Sequence, residues 1–311
     1  MSSAAAVLRV NAASIEFQNP VLLAAGTAAY GRELASVIDL DSLGGFVTKA
    51  VSPEPRKGAP APRVAEFDGG MINAVGLANP GLDAVRADDI PWIEKNVCSA
   101  RVIVNVVGNV LEDFATVVEG LSSFDRIDAF ELNVSCPNVK AGGMEFGADS
   151  AVLSALVSRA RAATAKPLFV KLSPTLPSIG DTARAASFAG ADGISVINTI
   201  PGLVVDVETR RPALGFGSGG VSGPGLLPVG VLAVRKVSQA VDVPIVGVGG
   251  VSRGTDVVQY LMAGASLVAI GTSAMRDPRA PERVLAELSD WCDSHGVKSV
   301  SEIIGSLEWP S

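Results

Sequence analysis

A handful of polar residues in this chain sits where an apolar strand has no need of them. Lys49 closes the run GGFVTKA, Asn105 lies in RVIVNVVG, and Asn133 and Cys136 end AFELNVSC. Lys171 lies in PLFVKLS, and Asn198-Thr199 end GISVINT. An amide offers a donor pair and an acceptor, so Asn73, Asn133 and Asn198 suit a neutral ring with alternating C=O and N–H groups. The lysines suit an acidic ligand. Cys136 is the titratable group among them: a free thiol has a pKa of about 8.5, and a nearby lysine or backbone N–H lowers it. A thiolate poised near the working pH is a sound general base. The rival use, a covalent nucleophile, normally wants a histidine partner. The one histidine, His295, sits in the polar run CDSHGVKS and reads as a solvated loop residue. Histidine triads and zinc chemistry are therefore excluded, and no carboxylate cluster points to a metal.

Two glycine-bearing strand ends add a second signal. PIVGVGG closes in Gly249-Gly250 and SLVAIGT in Gly271-Thr272, one strand-helix unit apart. Glycines there expose backbone N–H groups ahead of a helix start, which suits a phosphate. A phosphate grip with lysines nearby fits flavin mononucleotide (FMN), whose reduced ring is tuned by protein charge near N1. Lys171 is the candidate for that charge, and Lys49 could reach both flavin and substrate. The stretch GFGSGG (215–220) formally matches a dinucleotide fingerprint, but no strand precedes it and no helix follows. It reads as a mobile loop, not a nicotinamide site.

These residues need elements to position them. Eight short β-branched runs alternate with Ala-rich segments: 21–26, 44–50, 101–108, 129–136, 167–173, 193–199, 244–250 and 266–272. Nearly continuous apolar strands mark a parallel sheet buried on both faces. LEDFATVVEGLSSF and RGTDVVQYLMAGA carry apolar residues at helical spacing. Eight such units in 311 residues predict an α/β fold, a closed (β/α)₈ TIM barrel. No composition break divides the chain, so residues 1–311 read as one domain. Two connections, 51–91 and 200–225, exceed ordinary loops and follow strand C-termini, the face where barrel active sites lie. Apolar residues make up 48% and charged residues 18%, enough for a large core, and the net charge of −7 disfavours nucleic acid and anionic membrane. No apolar stretch approaches a bilayer span. Three scattered cysteines, Cys98, Cys136 and Cys292, point to a reducing cytoplasm and exclude a self-contained iron–sulfur cluster.

With these motifs the chain resembles the soluble, class 1 dihydroorotate dehydrogenases. The likeness covers nearly its whole length, through EPRKGAPAPRVAEFDGGMINAVGLANPG, ELNVSCPNVKAGGMEFGAD, FVKLSP, INTIPG, GGVSGPG and VGVGGVSRGTDVVQYLMAGASLVAIGT. The resemblance implies oxidation of dihydroorotate to orotate in pyrimidine synthesis, with FMN in a (β/α)₈ barrel. By motif, Cys136 is the base that takes the C5 proton while hydride passes from C6 to flavin N5. Lys49, Asn73, Ala74, Val75, Gly76, Leu77, Asn133, Asn198 and Thr199 are the implied orotate contacts. Ala25, Lys49, Ala50, Asn105, Asn133, Lys171, Ile197, Gly223, Gly249, Gly250, Gly271 and Thr272 are the implied flavin contacts, with Ala25 standing where relatives often carry serine. The membrane-bound class uses serine as base and has an N-terminal helical extension. This chain has cysteine and begins close to its first strand. SCPNVKAGGMEFGAD is similar to the NAD-linked class 1B catalytic subunit, implying a homodimer core in a heterotetramer with a subunit carrying FAD and a 2Fe–2S cluster. The alternatives are a fumarate-dependent dihydroorotate dehydrogenase, a related dihydropyrimidine dehydrogenase, and a non-enzymatic barrel that binds a phosphorylated metabolite.

Overall fold

The computed structural model describes residues 6–135, 137–138 and 144–310. Its centre is a closed ring of eight parallel strands, β1 (Val21–Leu23), β2 (Gly45–Val47), β3 (Arg101–Val106), β4 (Ala129–Asn133), β5 (Leu168–Leu172), β6 (Gly193–Val196), β7 (Ile245–Val248) and β8 (Leu267–Ile270). Each pairs with its sequence neighbours, and β8 pairs with β1 to shut the ring. This is the predicted (β/α)₈ barrel. The strands are almost wholly buried on both faces, as continuous apolar runs require. They stop earlier than the apolar runs, so Lys49, Asn198 and Thr199 stand beyond their strands in the loops at the mouth.

The helices form because the segments between strands carry one apolar stripe. Leu111–Leu121 buries Phe114, Val117, Val118 and Leu121, the spacing of one helical face. In Gly254–Ala263, Val257, Val258 and Leu261 do the same, and Gly264 ends the helix in the left-handed conformation at φ 117°. Tyr260 of that helix is fully buried over β7. Gly247 faces it closely: a Cβ there would lie 2.4 Å from the ring.

A hairpin, Val10–Ala12 with Ile15–Phe17, covers the end of the barrel where strands begin, and Glu16 O accepts from Arg101 Nε at 2.8 Å. At the opposite end the two long connections do something the sequence left open. They build one four-stranded antiparallel sheet, in which Ile200–Gly202 pairs Gly219–Ser222, which pairs Gly70–Asn73, which pairs Val64–Phe67. The GFGSGG stretch is correspondingly not a free loop. Its last two glycines, Gly219 and Gly220, open a strand of this sheet, and Leu214 bridges Gly217. Among the described residues no helix is long and apolar enough to cross a membrane.

Gly247→Ala should lose about 1–3 kcal/mol by overpacking against the immobile Tyr260 ring. Urea unfolding monitors this, with a lower midpoint and an unchanged slope as the expected result.

Candidate active site

Strand register decides which side chains meet. In the ladder Asn105 lies opposite Glu131, Asn133 opposite Lys171, and Lys171 opposite Ser195. Residues in register point to the same side of a sheet, so β3, β4, β5 and β6 turn these polar groups together into the barrel. Above them opens a cavity of about 540 Å³, lined by strand ends, by the loops after β2 and β6, and by the antiparallel sheet.

The predicted residues converge there. Lys49, Asn105, Asn133, Lys171, Asn198 and Thr199 line the cavity, as do Ala25, Ala50 and Ile197. Gly223, Gly249, Gly250, Gly271 and Thr272 line it too. Of the segment 73–77, Asn73, Val75 and Leu77 line the cavity whereas Ala74 and Gly76 do not, the chain leaving its strand after Asn73 and turning at Gly76 and Leu77, whose φ are 69° and 56°. Ala74 N–H instead bonds Arg63 O at 2.8 Å. Cys136 lies outside the described residues. The chain reaches it from β4 through Ser135, a cavity residue, and leaves through Pro137–Asn138, which pairs with Met144–Glu145. Pro137 thus opens a two-residue strand.

The amides are oriented by what holds them. Thr199 N–H donates to Asn198 Oδ1 at 2.8 Å, so the Asn198 NH₂ must face the other way. It donates to Asn133 Oδ1 at 3.4 Å, which leaves the Asn133 NH₂ for the cavity. Asn73 Nδ2 donates to Gly220 O at 3.3 Å, leaving its oxygen as an acceptor. Asn105 Nδ2 donates to Glu131 Oε1 at 2.8 Å, and that carboxylate, 2% exposed, lies 3.8 Å from Lys171 Nζ. Ser135 Oγ and Ser195 Oγ are buried without a hydrogen-bond partner among the described residues. Burial pushes the Glu145 carboxyl above the usual carboxylate range, although Ser173 and Thr175 hydrogen-bond to it.

One side of the cavity is built of backbone. Gly249 and Gly250 have φ of 125° and 75°, and a Cβ on Gly250 would lie 2.3 Å from Leu227 N. Ser273 Oγ donates to Val251 O at 2.5 Å, tying the loop after β7 to the one after β8. Tyr260 OH braces the first loop by donating to Gly249 O at 2.7 Å.

Sequence reasoning missed Glu131, Ser135, Met71, Ser222, Ser273 and Met275. Glu131 and Ser135 were within reach, since strand alternation from Asn133 puts both neighbours two residues away on its face. Met71 and Ser222 had no signal, because they come to the cavity only through pairing of the two insertions.

A family profile described as dihydroorotate dehydrogenase matches residues 7–291. Among curated relatives, the protein of Pelobacter propionicus is 42% identical over 97% of this chain and 98% of its own length. That of Alkaliphilus metalliredigens is 44% identical over 96% and 98%, and that of Bacillus pumilus 43% identical over 96% of each. All three are named the catalytic subunit of dihydroorotate dehydrogenase B (NAD(+)).

Lys171→Met should cost about 3–5 kcal/mol in chemical denaturation, because it strands a buried carboxylate. Adding Glu131→Gln should recover most of that loss.

Proposed function

This chain belongs to the dihydroorotate dehydrogenase family, and from that premise we propose that it oxidises dihydroorotate to orotate in pyrimidine biosynthesis with FMN in the barrel mouth. The observation that carries the reading is the set of oriented amides beside two lysines. A dihydropyrimidine ring presents alternating carbonyls and N–H groups, and its carboxylate calls for a cation. Asn133 offers N–H, Asn73 offers oxygen, and Lys49 at the rim supplies the charge. Thr199 and Asn198 keep the Asn133 donor in place, so the substrate meets fixed dipoles that need no reorganisation.

The residues present fit FMN. Gly249, Gly250, Gly271 and Thr272 form the wall open to a phosphate, and a Cβ on Gly250 would collide with the Leu227 backbone, so that stretch of wall stays bare backbone. Lys171 lies at the cavity floor, where its charge would face the ring, and Asn105 and Ile197 line the same floor. Bound there, FMN would accept the hydride that leaves C6. The chain's own part is the proton at C5, assigned here to Cys136. Ser135, the residue before it, reaches the cavity wall. The sheet formed by the two insertions adds Val64, Met71, Asn73 and Ser222 to the cavity wall.

Electrons then leave by way of a partner. The relatives are named catalytic subunits of an NAD(+) enzyme, and among the described residues no dinucleotide fingerprint has the required strand–turn–helix setting. We assign NAD reduction to a second subunit carrying FAD and a 2Fe–2S cluster, bound to a homodimer of this chain in the cytoplasm. The scattered cysteines support that compartment.

The purified chain should be yellow and bleach when dihydroorotate is added without oxygen. Cys136→Ala should retain flavin and orotate binding but bleach about 10²–10⁴-fold more slowly, followed by stopped-flow absorbance; near-native bleaching would remove the cysteine from the mechanism. For the partner, steady-state assays should show NAD reduction only when the iron–sulfur subunit is added. Full NAD reduction by this chain alone would overturn the assignment.

A further inference from the structure

Glu131 is a buried charge that the proposed reaction does not use. It stands on the inward face of β4, two residues before Asn133, and is 2% exposed. A barrel interior is ordinarily filled by branched apolar side chains, and a buried carboxylate is costly unless it is paired and hydrogen-bonded. Here a single oxygen, Oε1, meets two cavity residues: Asn105 Nδ2 at 2.8 Å and Lys171 Nζ at 3.8 Å. The first contact is a hydrogen bond. The second is an ion pair beyond hydrogen-bond length, so it compensates the ammonium without engaging its N–H donors.

Both consequences bear on the cavity. A carboxylate only accepts, so Asn105 must turn its NH₂ down to Glu131 and its amide oxygen up. Lys171, opposite Asn133 in the ladder, is held at the floor with its charge offset from below. We propose that Glu131 is a positioning residue of the flavin site: it fixes the Asn105 amide and the Lys171 ammonium, and it moderates the positive charge that the isoalloxazine ring meets. This rests on the FMN reading above. Charge beside the ring sets how readily it is reduced, and at short range in a poorly screened interior one unit charge weighs heavily. An uncompensated Lys171 would hold the reduced ring too firmly for onward transfer of its electrons. With Glu131 beneath, the ring can be both reduced by substrate and reoxidised.

The test is the midpoint potential of FMN bound to the purified chain, measured anaerobically against a reference dye. Glu131→Gln, which keeps shape and removes charge, should favour binding of reduced over oxidised FMN by tenfold or more, a rise of about 30 mV for a two-electron couple. Glu131→Asp, which keeps the charge, should lie closer to the native value than Glu131→Gln, and Lys171→Met should lower the potential. If Glu131→Gln alone does not fold, the same comparison is made in the Lys171→Met background, where adding Glu131→Gln again raises the potential. An unmoved potential in flavin-bound Glu131→Gln, or equal shifts for Asp and Gln, overturns the role of Glu131 and leaves the FMN reading standing. A chain that binds no flavin overturns both.

Discussion

Closure of the parallel barrel is the constraint from which the site follows. A parallel strand must bury both faces and pair both edges, and a ring of eight achieves this with no edge left open. Because all eight strands run the same way, every strand ends at one mouth. Asn105, Asn133, Lys171 and Asn198 belong to separate strand-helix units, yet closure delivers them to a single cavity. Register refines the delivery: the opposition of Asn105 to Glu131 and of Asn133 to Lys171 sets which groups share a layer.

The roof is a second consequence of the same geometry. Two insertions far apart in sequence leave the barrel at the same end, where each supplies strands the other can pair. The sheet they form brings Asn73 across from Gly220 and holds its amide by that glycine's carbonyl. Close approach is essential here, since a Cβ on Gly220 would lie 2.1 Å from Thr199 Oγ1. The roof backbone at Gly220 therefore packs directly on the Thr199 side chain at the mouth.

What the cavity presents depends less on the presence of amides than on the direction each one faces. A relay of hydrogen bonds from Thr199 N–H through Asn198 to Asn133 turns a symmetric-looking set of asparagines into assigned donors and acceptors. Glu131 does the same for Asn105 from beneath. The charge count at the floor, one lysine over one carboxylate, is likewise a property of packing.

The sequence by itself determined the barrel and most of its mouth. Eight apolar runs with helical segments between them leave few other ways to bury strands on both faces, and polar residues near the ends of such runs must face either solvent or one another. The glycines after β7 and β8 were legible for the same reason, as were the position of the insertions and the exposed place of His295, which the structure stacks on Trp291. Only the tertiary structure decided the rest. The insertions carry short segments rich in glycine and proline, whose pairing depends on a partner strand from elsewhere, so neither the sheet nor Met71 and Ser222 could be read from local pattern. Glu131 looked like one more residue of ELNVS until register placed it under Lys171 and Asn105. Composition and periodicity specify which face a residue takes. Which atom meets it there is settled by ladders and contacts between segments far apart along the chain.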